Sequence, residues 1–293
     1  MNRPEIDPRW DVEPSNMAEG YSIEMTAKDC ASLRAAAPDI PPGTPIAVAY
    51  LPSETDAQRL EALKLVRELG FEPMPHFSAR RIRTEAEFES YLSAAVSEAG
   101  VRRCFVVAGD PSEAAGPYSD SASLIGTGAF ERSGIRVIGI GGHPEGHPNM
   151  TEEQCWEVLE TKFREIERRG MAPLIVTQFA FDADGLVNWV RTLRARGIDA
   201  PLRLGVPGPA GIKTLMRFAA RCGVGASTSV LSKYGISIGR LLGSAGPDKL
   251  LEQLERGLGD DCKRVRLHFY PFGGLEKTVD WINGYVRAEA AAR

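Results

Sequence analysis

The chain has 293 residues, of which 43% are hydrophobic and 25% charged, a balance typical of a globular protein with a large core. Its formal charge is −4 and its basic residues are scattered, so we expect a small-molecule partner and neither nucleic acid nor an anionic membrane. The sequence has no apolar stretch long enough to span a bilayer and no signal-peptide pattern at its start, which predicts a cytoplasmic protein.

Five cysteines are widely spaced and never form a C-x-x-C pair, a pattern that argues against a disulfide framework and against a zinc site. They are Cys30, Cys104, Cys155, Cys222 and Cys262. We predict that they are packing residues and that the protein has no metal site.

Eight short runs of β-forming residues recur along the chain, and most are followed by a stretch with helical periodicity. The predicted strands are residues 21–25, 45–51, 72–76, 103–108, 136–141, 173–178, 202–206 and 264–270. Such alternation is typical of parallel strands joined by crossover helices. We therefore predict a single-domain (β/α)₈ TIM barrel over residues 21–293, preceded by an irregular, proline-containing arm of residues 1–20. An open doubly wound sheet is the alternative.

The helices between the strands carry start signals. Thr84 with Glu87, and Thr151 with Gln154, have the spacing of capping boxes ahead of apolar-periodic runs. Residues 227–258 look mostly helical, which makes the last connection longer than a standard unit.

Polar residues recur where the predicted strands end, which is where (β/α)₈ barrels have their active sites. They are, in chain order, Glu24, Tyr50, His76, Asp110, His143, His147, Gln178 and the trio His268, Phe269 and Tyr270. A carboxylate inside a barrel strand is costly unless it is used, so a functional role for Glu24 is favoured over an ion pair with an arginine. For Asp110, a helix cap is an equal alternative.

His143 and His147 have a spacing that suggests metal binding, but Pro144 and Pro148 prevent a regular helix there. A role for these histidines in binding substrate or lining a turn is therefore favoured over metal ligation. Gln178 ends a buried strand and needs a hydrogen-bond partner, which is either a ligand or a neighbouring backbone group. The chain has no phosphate loop, no dinucleotide-binding glycine motif and no serine-hydrolase motif.

Taken in order, the strand-end segments resemble the methylenetetrahydrofolate reductase family over about residues 21–282. The matching segments are Tyr-Ser-Ile-Glu at 21–24, Pro-His at 75–76, Ala-Gly-Asp at 108–110, Gly-His-Pro-Glu-Gly-His-Pro at 142–148, Val-Thr-Gln-Phe-Ala-Phe-Asp at 176–182, Gly-Val-Pro-Gly at 205–208 and Leu-His-Phe-Tyr at 267–270. The resemblance implies hydride transfer from NADH or NADPH, usually by way of FAD, to 5,10-methylenetetrahydrofolate, which gives 5-methyltetrahydrofolate.

The resemblance also implies residue roles on the substrate side. Glu24 corresponds to the acid that opens the five-membered ring of the substrate, and a carboxyl whose pKa is raised by partial burial can donate that proton. Asp110 corresponds to a carboxylate beside flavin and pterin, and Gln178 to a glutamine that binds the pterin. Phe269 and Tyr270 are the further candidates for substrate contact.

On the cofactor side, the resemblance implies contacts to FAD from residues on three strand ends and one helix. They are His76, Gly109, Asp110, His143 and His147, with Lys162 and Arg164 as candidates for the flavin phosphates. The family commonly has tyrosine at position 143 and an arginine soon after position 270, and this chain has neither. These departures keep a flavin-independent reductase open. A folate-dependent methyltransferase or demethylase barrel without redox chemistry is a separate alternative, and so is a non-enzymatic folate-binding barrel, against which the inward Glu24 argues. The sequence also leaves open whether the reductant is NADH or NADPH and whether the protein forms a homo-oligomer.

Overall fold

Eight parallel strands form a closed barrel in the computed structural model, which describes residues 14, 16–225 and 244–292. The strands are β1 Ser22–Met25, β2 Pro45–Val48, β3 Glu72–Ser78, β4 Arg103–Val107, β5 Val137–Gly142, β6 Ala172–Phe179, β7 Leu202–Pro207 and β8 Val265–Tyr270. Sequential strands are neighbours, and β1 pairs with β8 to close the barrel. The predicted (β/α)₈ architecture is confirmed. Most of the predicted arm, residues 1–13 and 15, lies outside the described residues.

Helices surround the barrel. Among the described residues they are α1 Cys30–Ala36, α2 Asp56–Glu68, α3 Glu85–Ala99, α4 Ser121–Ile125, α5 Ala129–Arg132, α6 Glu152–Arg168, α7 Ala183–Ala195, α8 Ile212–Cys222, α9 Asp248–Leu258 and α10 Leu275–Ala292. In this part of the chain no helix is both long and apolar enough to cross a bilayer. Thr84 and Thr151 cap α3 and α6, and the predicted reciprocal capping box forms between Thr151 and Gln154. At α3 the Thr84 hydroxyl accepts the N–H of Glu87, but the Glu87 side chain pairs with Arg83 in place of completing the box. Of the predicted helical stretch 227–258, residues 227–243 lie outside the described residues, and α9 Asp248–Leu258 forms its last part.

The barrel interior is filled by a small apolar cluster, separate from the larger core between the strands and the helices. Its members are Ala47, Met74, Phe105, Val137, Ala172, Leu174 and Val176. A β-carbon on Gly139 would lie 2.5 Å from the Phe105 ring, so the glycine on β5 makes room for the phenylalanine on β4. Because side chains alternate along a strand, the next inward positions toward the carboxyl ends lie at the mouth of the barrel.

A close backbone approach joins β6 to β7. The register between these strands shifts between Val176 and Phe179, which is a β-bulge. The Gly205 N–H donates to the Thr177 hydroxyl at 2.8 Å, and a β-carbon on Gly205 would lie 2.5 Å from the Thr177 carbonyl oxygen. Only glycine fits this approach without moving the strand.

We expect Gly205→Ala to lower the free energy of unfolding by about 1–3 kcal/mol, because the added methyl group pushes β7 away from the bulge. Urea denaturation measures the change. Gly284→Ala is the matched control, because Gly284 lies exposed in α10 with open space where the added β-carbon would go. The control is expected to be neutral or stabilising by up to about 1 kcal/mol. Equal stability of Gly205→Ala and wild type would contradict the close approach.

Candidate active site

A carboxylate lies between two imidazoles at the barrel mouth. Glu24 Oε2 is 3.7 Å from Nε2 of His76 and 3.8 Å from Nε2 of His268. Ser22 and Glu24 share the inward face of β1, and Ser22 pairs with His268 on β8. The Ser22 hydroxyl lies 2.8 Å from Nδ1 of His268, so one nitrogen of that ring meets the serine and the other faces the carboxylate.

The protonation of Glu24 depends on these neighbours. Burial raises the pKa of its carboxyl, but the ring nitrogen of His268 that faces the carboxylate and the electrostatic attraction of both histidines outweigh this and lower the pKa below its ordinary value. The prediction that burial raises this pKa is therefore wrong for the uncovered site, because no sequence pattern indicates that two imidazoles flank the carboxyl. Since the Glu24 side chain is still 24% exposed, a ligand that covers it removes more water and moves its pKa upward.

Both imidazoles are fixed by aromatic neighbours. The His76 ring lies 4.7 Å from the ring of Phe105 inside the barrel, and the His268 ring contacts Tyr270 edge-on at 4.8 Å. The Tyr270 hydroxyl donates to the Thr177 carbonyl oxygen at 3.0 Å, which ties β8 to the bulge in β6. Burial lowers the pKa of His76 to about 4 and also lowers that of His268, so both rings are neutral near pH 7.

Gln178 lies on the bulge of β6 and is half-buried. It is the next residue in the alternation that places Leu174 and Val176 inside the barrel. Its side-chain oxygen accepts the N–H of Phe179 at 3.1 Å, while the Phe179 ring packs outward in the larger core. The structure therefore brings Gln178 to the mouth that also contains Glu24 and Tyr270.

Gly109 and Asp110 form the turn after β4. Gly109 has a φ of +94°, and a β-carbon there would lie 2.1 Å from the Ser78 hydroxyl, so this position requires glycine. The Asp110 side chain is 82% exposed and lies 3.6 Å from the Arg81 guanidinium. The alternative of a helix cap is wrong for Asp110, because Asp120 is the residue that caps α4.

His143 and His147 meet edge-on with their ring centres 5.0 Å apart, in a loop and not on a helix, as the prolines predicted. Glu145, between them, accepts the N–H of Phe181 at 3.1 Å and that of Gly225 at 2.8 Å. One carboxylate thus joins the loops after β5 and β6 to the segment after α8. Within the described ranges, no three His, Cys, Asp or Glu residues are placed to hold a metal ion.

The two basic residues predicted for flavin phosphates lie on opposite faces of α6. Lys162 is buried on the inner face, where burial lowers its pKa to about 8. The pKa values of His143 and His147 are lowered mainly by burial and in smaller part by the charge of Lys162. Arg164 faces solvent and donates to Glu160 at 2.7 Å. The structure therefore brings Lys162 to the two histidines and does not bring Arg164 there.

Phe269 is not a substrate contact. Its side chain is fully buried outside the barrel, where it packs edge-on against Tyr21 at 5.8 Å and lies 5.9 Å from Trp281. Alternation along β8 places Phe269 outward and its neighbours His268 and Tyr270 inward. The sequence prediction named Phe269 as a substrate contact and gave the strand-end residue His268 no role, although alternation along the strand from the apolar Leu267 indicates that His268 and Phe269 face opposite sides.

A comparison of the sequence with models of known protein families identifies the family of this chain. A model of the methylenetetrahydrofolate reductase family matches residues 46–237. The chain belongs to this family. The predicted resemblance is confirmed, and the protein is accordingly a family member with a folate-related function.

Single relatives are more distant. Methylenetetrahydrofolate reductase 2 of Saccharomyces cerevisiae is 34% identical over 85 residues, which are 29% of this chain and 13% of that protein. An uncharacterized protein from Clostridium thermocellum that binds two copies of 5-methyl-5,6,7,8-tetrahydrofolic acid superposes with a TM-score of 0.59 at 10% identity, over 97% of this chain and 98% of its own. Dihydropteroate synthase of Thermus thermophilus gives 0.51 at 12% identity, with 94% of each chain covered. These two structures share the fold.

His76 makes the stability of this reductase-family barrel dependent on pH. Its pKa falls from an ordinary value of 6.5 to about 4 in the folded protein, so the unfolded chain binds more protons between those values and stability falls as the pH falls. At pH 5 this loss is about 2 kcal/mol. We expect His76→Asn to lose correspondingly less stability than wild type between pH 7 and pH 5 in urea denaturation. Equal losses in the two proteins would show that His76 titrates normally.

Proposed function

We propose that the chain reduces 5,10-methylenetetrahydrofolate to 5-methyltetrahydrofolate with a hydride from NADH or NADPH. The observation that carries this proposal is Glu24, whose carboxyl lies between His76 and His268 at the barrel mouth of a methylenetetrahydrofolate reductase family member. The Clostridium thermocellum structure, whose fold is similar and which binds methyltetrahydrofolate, supports a folate ligand.

Glu24 supplies the proton for ring opening. When the substrate covers the mouth, loss of water raises the pKa of the carboxyl, and the proton moves to the ring nitrogen as its carbon–nitrogen bond breaks. The bonding electrons stay on that nitrogen, and the carbon becomes an iminium that accepts the hydride. Glu24 is left as a carboxylate, which the imidazoles of His76 and His268 stabilise.

The pterin ring is held by polar groups around this acid. The amide of Gln178 and the carboxylate of Asp110 suit a ring edge that has both hydrogen-bond donors and acceptors. Tyr270, fixed through its hydroxyl to β6, forms part of the wall beside His268. This arrangement orients the iminium carbon toward the reductant.

FAD is the cofactor that the family resemblance suggests, and it would relay the hydride. Lys162, with His143 and His147 beside it, would hold its phosphates. Arg164 faces solvent, so Lys162 is the one of the two predicted cations that lies near His143 and His147. The residues therefore fit FAD in part, and direct transfer from NAD(P)H to the folate is the second route. The steps at Glu24 are the same in both.

For Glu24→Gln we expect turnover to fall by at least about 100-fold, because the amide keeps the shape but has no acidic proton to give. Folate affinity, measured by calorimetry with 5-methyltetrahydrofolate, should stay within about threefold of wild type. Glu145→Gln serves as a control for a lost carboxylate at the mouth that does not touch the acid. Turnover of Glu24→Gln near the wild-type value would rule out this role.

The reaction itself is tested by NADH or NADPH oxidation that depends on methylenetetrahydrofolate, with methyltetrahydrofolate identified as product. We expect oxidation in the presence of the folate and none without it. The visible spectrum of the same sample reports the route, because bound FAD gives a flavin spectrum that the reductant bleaches and the folate restores. Folate binding without oxidation of either nucleotide would contradict the reductase and favour methyl transfer.

A further inference from the structure

A cavity of about 750 Å³ opens beside the mouth, between the loop after β2 and the segments after β3 and β4. This volume lies in the range of small-molecule sites. One contact connects the cavity with the proposed active site, because Arg81 in its wall lies 3.6 Å from Asp110.

The inner end of the cavity combines aromatic rings with buried hydrogen-bond donors. The Arg59 guanidinium lies 4.4 Å from the ring centre of Tyr50 and 4.6 Å from that of Tyr91. Arg59 is 6% exposed, and its Nε and the Tyr91 hydroxyl are buried without a hydrogen-bond partner in the described part of the chain. Both carboxylate oxygens of Glu54 in the same wall are likewise buried without a hydrogen-bond partner among the described residues. Unpartnered buried groups are costly, so a flat ring that has both acceptor and donor atoms is stabilised there.

The outer wall carries two arginines whose partners are exposed. Arg81 pairs with Asp110 and also lies 5.6 Å from the Tyr50 ring, and Arg83 pairs with Glu87 at 3.0 Å. Exposed pairs of this kind contribute little free energy, whereas guanidinium groups bind phosphate oxygens in bidentate geometry. Both arginines can therefore exchange their carboxylate partners for a phosphate.

Neighbouring arginines have other tasks. Arg80 donates to the carbonyl oxygens of Ser119 at 2.7 Å and Pro111 at 3.0 Å, and so holds the loop after β4 in place. Arg59 pairs with Asp56. Among the described residues, this leaves Arg81 and Arg83 in the wall, each ion-paired with an exposed carboxylate.

We propose that this cavity binds the adenosine diphosphate half of NADH, an assignment that rests on the proposed reductase function. The adenine ring lies against Tyr50 and the donors at the inner end, and the pyrophosphate lies on Arg81 and Arg83. The nicotinamide then extends toward His76 and the folate. Two arginines match the two charges of a pyrophosphate. The other arginines of the wall, Arg59 and Arg80, are held by Asp56 and by backbone carbonyl oxygens, so the described lining leaves no arginine for the additional phosphate of NADPH.

The test uses ADP-ribose, which has the adenosine diphosphate half and no redox chemistry. Calorimetry on the intact protein should give at least fivefold weaker ADP-ribose binding for Arg83→Ala, with 5-methyltetrahydrofolate affinity within twofold of wild type. Arg34→Ala is the matched control, because Arg34 is an exposed arginine paired with exposed Glu68 away from the cavity. In wild type, the KM for NADH should be at least tenfold below that for NADPH.

Unchanged ADP-ribose affinity in Arg83→Ala, or no binding by wild type, overturns the proposal. So does a loss of folate affinity in this variant, because the cavity would then hold the glutamate tail of the folate. Failure of the reductase function is a separate result. In that case ADP-ribose binds in an Arg83-dependent way but NADH is not oxidised with methylenetetrahydrofolate. Conversely, if Arg83→Ala oxidises NADH with an unchanged KM, the proposed nucleotide site is wrong and the proposed reductase function still holds.

Discussion

The Glu24 carboxylate between the imidazoles of His76 and His268 is the interaction on which the mouth of this barrel depends. Burial alone would raise the pKa of the carboxyl, and the two histidines pull this pKa down while Glu24 opposes the fall of theirs. The protonation of Glu24 is therefore coupled to that of both histidines. In the proposed mechanism, covering the mouth shifts this balance toward a protonated acid, and substrate binding itself prepares the proton.

The barrel supports this cluster with rigid neighbours. Phe105 fills the interior below His76 because Gly139 leaves space for its ring, and Tyr270 is fastened to the β6 bulge through Thr177. Above the strands, Glu145 joins three loops through two backbone N–H groups. A fixed imidazole pair holds the carboxylate in one position, which is what a directed proton transfer requires.

Much of this arrangement could be read from sequence, because strands in a (β/α)₈ barrel are short, apolar and bounded by turn residues. The ends of these two strands were predicted to within one or two residues, which was enough to place Glu24 and Gln178 at the mouth. The direction of each side chain was harder to predict. On β8, neighbouring positions face opposite sides, so His268 points into the barrel and Phe269 points out of it. On α6, Lys162 and Arg164 lie on different faces of the helix. The contacts of Glu145 reach 36 and 80 residues along the chain, a distance at which no local pattern predicts pairing.

The central claim is that folate binding protonates Glu24, and infrared difference spectroscopy tests it most directly. Spectra of the protein with and without 5-methyltetrahydrofolate near pH 7 report protonated carboxyl groups through their C=O stretch. The predicted result is a protonated-carboxyl band that appears on folate binding in wild type and is missing in Glu24→Gln. The same difference spectrum in both proteins would contradict the claim.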